Sequence, residues 1–135
     1  MDENTMYIHL FDGFTIDYNG VFLNMREYLS KQALHLLEVL VLQSNGYVSR
    51  DSLMELFWDN SDNPLSSLKF NIFRLRKLLK GIPSLSHVEM IQTEKGGYRF
   101  TPNVPAVIDT VLFETDYEKI MKVETYGEKE AVYAR

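Results

Sequence analysis

The sequence predicts an α+β fold: an N-terminal antiparallel sheet, a three-helix core, a C-terminal β-hairpin and one further C-terminal helix. Three observations support it. Segments rich in β-formers and separated by turn residues fill the first 28 positions, capped apolar segments of helical period fill residues 30–80, and two short β-rich segments flank a Gly-Gly pair. The length of 135 residues fits one domain, and 45% apolar content is ordinary for a globular protein.

The N-terminal sheet is predicted from three short segments, residues 6–10, 14–18 and 21–23. The second alternates apolar and polar side chains, as a half-buried strand does. Asn19-Gly20 separates the second segment from the third. Both central positions of a type I′ turn need positive φ, so this pair predicts an antiparallel hairpin.

Three helices are predicted over the middle of the chain. Ser30 is a good N-cap for a helix running to about residue 43, and that helix is apolar around most of its circumference, which indicates a central, buried position. Ser49 caps a second helix over residues 50–58. The third runs over residues 64–80 and is closed by glycine and proline.

The third helix has two distinct faces. At roughly 100° per residue, one apolar stripe spans about 60° and predicts the face that contacts the core. Phe70 and Phe73 lie away from that stripe, which is unusual for a helix that only covers a core. Its basic residues also lie away from it. The predicted core stripe consists of Leu68, Ile72, Leu75 and Leu79.

The hairpin follows the third helix. Residues 88–93 and 98–101 predict two strands, joined by a turn over residues 94–97. A short apolar run, Val107-Ile108, comes next, and residues 110–123 predict an amphipathic helix. We therefore expect one domain over residues 1–105, and over residues 106–135 a C-terminal helix and tail that begin a further helical domain.

Composition excludes several classes of function. The chain has no cysteine, which excludes disulfides, thiolate metal sites and a cysteine nucleophile. No apolar run approaches the ~20 residues of a membrane span, and the acidic N-terminus does not resemble a secretory signal. The three histidines lie on different predicted elements without ligand spacing, so no metal or cofactor is expected. A cytoplasmic protein without enzymatic activity is the expectation.

The charge distribution points toward nucleic acid although the net charge is −5. Residues 1–63 carry 3 basic and 10 acidic side chains, whereas residues 64–101 carry 7 basic and 2 acidic ones. Binding responds to the local field, so a basic segment in an acidic chain is a candidate nucleic-acid site. The alternative is that these cations form only a solvated helix face.

The order of the elements strengthens the first interpretation. Three helices followed by a β-hairpin are the parts of a winged helix-turn-helix, in which the third helix enters the DNA major groove and the hairpin, or wing, reaches flanking DNA. Lysine and arginine on such a helix neutralise phosphates, and an arginine can pair with guanine through two hydrogen bonds. Lys95, beside the Gly-Gly pair, places a cation on the turn of the wing.

Four segments resemble the OmpR/PhoB-type winged-helix domains: the start of the first helix (29–34), the second helix with its approach (47–58), the third helix (68–79) and the wing (91–100). The resemblance spans about residues 6–101. The compact Thr-x-x-Gly-Gly-Tyr-Arg wing is most similar to that of the SARP-like bacterial activators, in which a helical repeat domain follows. This implies that the chain is the DNA-binding part of a longer transcriptional regulator.

The resemblance also implies roles for individual residues. Arg74 matches a position that contacts a base, Phe70 one that meets thymine methyl groups or sugar, and Asn71 and Arg76 match phosphate-contacting positions. Phe73 departs from the family, where this position is usually polar or basic. The complete set of expected DNA-contacting residues is Arg50, Lys69, Phe70, Asn71, Phe73, Arg74, Arg76, Lys77, Lys80, Lys95 and Arg99.

The resemblance further implies double-stranded DNA as the partner, homodimers on direct repeats, and RNA polymerase as the contact of an activator. One alternative within the same fold stays open. Some winged helices bind protein instead of DNA, and Phe70 with Phe73 would form an apolar patch for such a partner.

Overall fold

The computed structural model describes residues 4–10, 13–44 and 46–109, so the predicted helix over 110–123 lies outside the described residues. Its architecture confirms the predicted α+β winged helix. Within these residues the α-helices and strands follow one another in this order: β1 (Met6–His9), β2 (Thr15–Tyr18), β3 (Val21–Asn24), α1 (Lys31–Leu42), β4 (Val48–Ser49), α2 (Arg50–Trp58), α3 (Pro64–Lys80), β5 (Ile91–Glu94), β6 (Gly97–Phe100) and β7 (Ala106–Ile108).

The N-terminal sheet has the strand order β3-β2-β1-β7. The first three strands are antiparallel, and the turn between β2 and β3 has φ of 54° at Asn19 and 77° at Gly20, as a type I′ turn requires. The sequence did not predict β7, which pairs in parallel with β1 and aligns Val107 with Tyr7. A parallel partner at the far end of the domain carries no local turn signal.

The residue that follows β7 is fastened to the same sheet. One carboxylate oxygen of Asp109 accepts a hydrogen bond from the backbone N–H of Leu10 at 3.0 Å, and the other lies 3.1 Å from Nδ1 of His9. The other ring nitrogen of His9 lies 3.3 Å from a carboxylate oxygen of Asp17. We therefore propose that the winged-helix domain extends to Asp109 instead of ending at residue 105.

The helices have the caps that the sequence predicts. Ser30 accepts a hydrogen bond from the Ala33 N–H at the start of α1, and Ser49 accepts one from the Ser52 N–H at the start of α2.

None of the helices in the described part of the chain has the length and apolar character of a membrane span. The central position of α1 is confirmed by four side chains with no exposed surface: Leu36, Leu37, Leu40 and Val41.

Helix α3 has the predicted bounds and the predicted core face. Asn63 accepts a hydrogen bond from the Ser66 N–H and caps the helix, and Pro64 occupies its first turn, where its missing N–H costs nothing. The stripe predicted from the periodicity is buried in the common core, and it comprises Leu68, Ile72, Leu75 and Leu79. This burial orients the opposite face of α3 toward solvent.

The second sheet has the order β4-β6-β5, and its β5–β6 hairpin is the wing. The turn between β5 and β6 is Lys95-Gly96, and Gly96 has a φ of 88° that favours glycine. Gly97 packs directly against the backbone of β4. A β carbon there would overlap the carbonyl oxygen of Val48 and lie 2.9 Å from its carbonyl carbon, so only glycine fits.

The predicted first wing strand, 88–93, is wrong in its first half, because β5 begins at Ile91. Residues 88–90 bond irregularly to the segment after β6. The N–H groups of Thr101 and Asn103 donate to the carbonyl oxygens of Met90 and Glu89, and the Glu89 N–H donates to the Asn103 side chain. Val88 and Met90 are nevertheless buried, which explains the strand-like apolar alternation.

Candidate nucleic-acid interface

The outward face of α3 lies opposite its buried stripe. At 100° per residue, Phe70, Phe73, Arg74 and Lys77 fall within one sector of this face. The side chains of Phe70 and Phe73 are 60% and 62% exposed, so neither ring is used by the core. We call these four residues the outer patch. It brings two apolar rings and two cations onto one exposed helical surface.

Two basic residues of the 64–101 segment are neutralised within the fold. Lys80 forms an ion pair with Glu89, and Nε of Arg99 lies 2.7 Å from a carboxylate oxygen of Glu94. Glu89 and Glu94 are the two acidic residues of this segment. Since both are engaged with Lys80 and Arg99, neither screens the outer patch by direct contact.

Arg76 joins α3 to the wing. Its guanidinium donates hydrogen bonds to the Ile91 carbonyl oxygen at 3.1 Å and to the Thr93 hydroxyl at 2.8 Å. The guanidinium carbon also lies 5.9 Å from the centre of the Tyr98 ring, close enough for a cation–π interaction. In the structure its guanidinium therefore lies on the strands of the wing, and the phosphate contact that the resemblance implies for Arg76 stays a prediction.

The four remaining basic residues of the 64–101 segment have neither an ion pair nor a side-chain hydrogen bond among the described residues. Within the described part of the chain, Lys69, Arg74, Lys77 and Lys95 form no ion pair, and all four side chains are exposed. Nζ of Lys77 lies 6.0 Å from the centre of the Phe73 ring. Three of these cations are on α3, and Lys95 is at the turn of the wing. The positively charged surface of α3 therefore extends onto the hairpin.

Two other predicted site residues have structural contacts of their own. The backbone N–H of Arg50 donates to the carbonyl oxygen of Gly96 at 2.9 Å, which ties the start of α2 to the wing turn beside Lys95. Nδ2 of Asn71 donates to the Ser67 carbonyl oxygen within α3 at 2.8 Å. The Arg50 and Asn71 side chains are both half-buried.

The residues that position Arg76 were missed by sequence reasoning. Thr93 and Tyr98 are cross-strand partners on β5 and β6, and both contact the same guanidinium. No local pattern links them to a residue on α3, because the contact forms only when the wing folds back on the helix. The sequence indicated only that Thr93 and Tyr98 are residue types that favour β-strands.

We predict that Arg76→Ala lowers the free energy of unfolding by about 1.5–3 kcal/mol, because hydrogen bonds to a charged group are lost and the Ile91 carbonyl is left without this donor. Urea denaturation measures the change. Arg74→Ala, which removes an exposed arginine of the same helix, is the matched control and should leave the midpoint unchanged. Equal stability of the two variants would contradict the bracing role of Arg76.

A groove between α1 and α2 offers no acid–base site. It has a volume of about 540 Å³. It contains no carboxylate, imidazole, ammonium or guanidinium group among its described lining residues, which are Val39, Gln43, Tyr47, Val48, Ser49, Ser52, Leu53 and Leu56. Tyr47 is the one titratable side chain in that lining, and no second acid or base among the described lining residues lies beside it to form a catalytic pair.

Comparisons with known proteins agree with the geometry. The family model described as "Transcriptional regulatory protein, C terminal" matches residues 25–100. Response regulator protein GraR of Staphylococcus aureus strains Mu50 and JH9 is 39% identical over 66 aligned residues, and the match covers 46% of this chain. The chain covers 28% of the length of these relatives. No solved structure matches the chain.

The family match covers α1, α2, α3 and the wing, which are the elements that form and support the outer patch. These relatives are bacterial regulators, and the family consists of transcription factors instead of enzymes. The chain therefore belongs to the family of transcriptional regulatory protein C-terminal domains, the DNA-binding winged helices of OmpR/PhoB type.

Proposed function

We propose that this chain binds double-stranded DNA sequence-specifically, with α3 in the major groove and the wing on the flanking backbone or minor groove. The observation that carries the proposal is the outer patch together with the unpaired Lys69 and Lys95. Intramolecular ion pairs use the nearby carboxylates and leave these cations available to phosphates.

The dimensions of α3 suit this role. A helix of 17 residues is about 25 Å long, and the major groove, about 12 Å wide, accepts one helix. Its buried stripe fixes the helix against the core, so the outer patch is the surface that would face the bases. The Arg76 contacts hold the wing at a defined position beside α3.

We assign base contact to Arg74, the exposed guanidinium at the centre of α3. Lys69 and Lys77 lie before and after it along α3, both on the side of the helix that carries Phe73, where they would meet phosphates at the edge of the groove, and Lys95 would meet the flanking backbone. Arg50, whose backbone N–H is bonded to Gly96 of the wing turn, would contact the DNA backbone near that turn. A further group of predicted contacts would act more weakly, because their polar groups already have intramolecular partners: Asn71, Lys80 and Arg99.

A protein partner is the second candidate, favoured by the exposure of Phe70 and Phe73. Docking an apolar protein surface there would also remove water from Lys77 and Arg74 without supplying opposite charge, which is costly. DNA provides both an apolar base surface and phosphates. We therefore rank DNA first.

Other features of the regulator rest on the family resemblance. We propose that it works in the bacterial cytoplasm as an activator that contacts RNA polymerase and binds direct repeats as a dimer. The similarity of the wing to SARP-like activators stays a prediction, since the curated relatives reported above are response regulators. An in vitro transcription assay with and without the protein would decide between activation and repression.

We predict that Arg74→Ala weakens discrimination between a selected site and a site with one altered base pair by ~1–3 kcal/mol, because it removes the base-contacting guanidinium. The site would first be selected from random duplexes, and dissociation constants would then be measured by fluorescence anisotropy. Lys31→Ala, an exposed cation on α1, is the control and should retain discrimination. Unchanged discrimination in Arg74→Ala would contradict the assigned role.

A further inference from the structure

We propose that Phe73 is a specificity-determining residue that contacts the 5-methyl group of a thymine in the recognised site. This inference rests on the proposed DNA-binding function and adds a base preference to it. It concerns a position at which the chain departs from its family, where polar or basic residues are usual. The proposal follows from the exposure of the ring, the charges around it and the chemistry of the groove.

The Phe73 ring lies on the outer patch and is 62% exposed. It precedes Arg74 directly, and it lies on the side of α3 away from Leu68, Ile72 and Leu75. An aromatic ring is stabilised by losing its contact with water, and the core of this domain does not provide that burial for Phe73. A ligand that covers the outward face of α3 would provide it.

The surroundings of the ring favour DNA as that ligand. Lys69 and Lys77 are four residues before and after Phe73, so they flank it along the helix surface, and Nζ of Lys77 is 6.0 Å from the ring centre. Both ammonium groups lack a carboxylate partner among the described residues. A row in which an apolar ring alternates with cations that have no carboxylate partner is complementary to a groove in which apolar base surface lies beside a row of phosphates.

The chemistry of the groove floor narrows the contact to thymine. Base edges in the major groove present hydrogen-bond donors and acceptors, and the exception is the 5-methyl group of thymine. A phenyl ring has no hydrogen-bonding group with which to recognise the other edges. The methyl is therefore the base feature that Phe73 can distinguish, whereas a deoxyribose contact would provide affinity without base preference.

The test uses the full chain and a duplex selected from a random pool. Each thymine is replaced singly by deoxyuridine, which removes only the methyl, and dissociation constants are measured by anisotropy. We expect one replacement to weaken wild-type binding about fourfold, the effect of burying one methyl group. Phe73→Ala should bind the thymine and deoxyuridine duplexes equally at that position.

Phe22→Ala is the matched control, because it removes a ring that is similarly exposed but lies on β3, outside the outer patch. It should leave the thymine preference at the Phe73 position intact, and Phe73→Leu should retain part of it. Specific binding that is indifferent to every deoxyuridine, or a preference that survives in Phe73→Ala, would overturn the inference and leave DNA binding standing. Failure of the wild-type chain to bind any duplex would overturn the proposed function together with the inference.

Discussion

Gly97→Ala is expected to destabilise the fold by about 3 kcal/mol, at the upper end of the cost of inserting a methyl group into a packed site. The new β carbon would overlap the Val48 carbonyl oxygen and lie 2.6 Å from Cδ2 of Tyr47. The Tyr47 side chain is exposed and can move aside, whereas the β4 backbone is fixed by its pairing with β6. The substitution should therefore separate β4 from the wing and weaken DNA binding.

Chemical denaturation and anisotropy on the same samples measure both effects. Gly46→Ala is the matched control, because a β carbon there meets nothing within 4 Å, and it should behave as the wild type. Wild-type stability of Gly97→Ala would show that β4 and β6 do not approach as closely as described. Lost stability with unchanged DNA affinity would show that the wing does not contribute to binding.

Leu75→Ala is expected to lower the free energy of unfolding by about 2–5 kcal/mol, because it creates a cavity in the core. Leu75 has no exposed surface and belongs to the stripe that seats α3. Its loss loosens the helix that carries the outer patch. We therefore expect weaker DNA binding at 37 °C than at 10 °C relative to the wild type, although no group that contacts DNA is altered.

Leu65→Ala supplies the comparison for that variant. Leu65 lies on the same helix but is 41% exposed, so the same chemical truncation should cost much less stability. Equal thermal midpoints for Leu65→Ala and Leu75→Ala would contradict the orientation of α3. A Leu75→Ala protein that unfolds completely would still agree with the expected cost, and hydrogen exchange of the α3 amides in Leu75→Val would then measure the same loosening in milder form.

Local signals were sufficient for most of the elements. Asn19-Gly20 specified its hairpin through positive φ, Ser30 and Ser49 specified helix starts through their hydroxyls, and the apolar spacing of α3 separated its buried face from its exposed one. Each of these signals acts within a few residues. Their physical cause is therefore visible in the sequence.

Long-range pairing was not visible in the same way. The parallel contact between β7 and β1 joins the two ends of the domain, and neither strand has a turn that indicates the other. The partners of the basic residues could not be predicted from the sequence either, because they also lie far apart in the chain. The sequence showed that seven basic residues lie in one segment, but only the fold determines that Arg76 braces the wing and that Glu94 pairs with Arg99.

The central claim is that the outward face of α3 binds duplex DNA. Fluorescence anisotropy of a pooled random duplex, titrated with NaCl, tests it most directly when the wild type is compared with Arg74→Ala/Lys77→Ala. We expect wild-type affinity to fall steeply with salt, and the double variant to bind more weakly with a slope smaller by about one unit, because Lys77 is the phosphate contact of this pair. Equal affinity and equal slope for two folded proteins, or no binding by either at tens of micromolar, would contradict the claim.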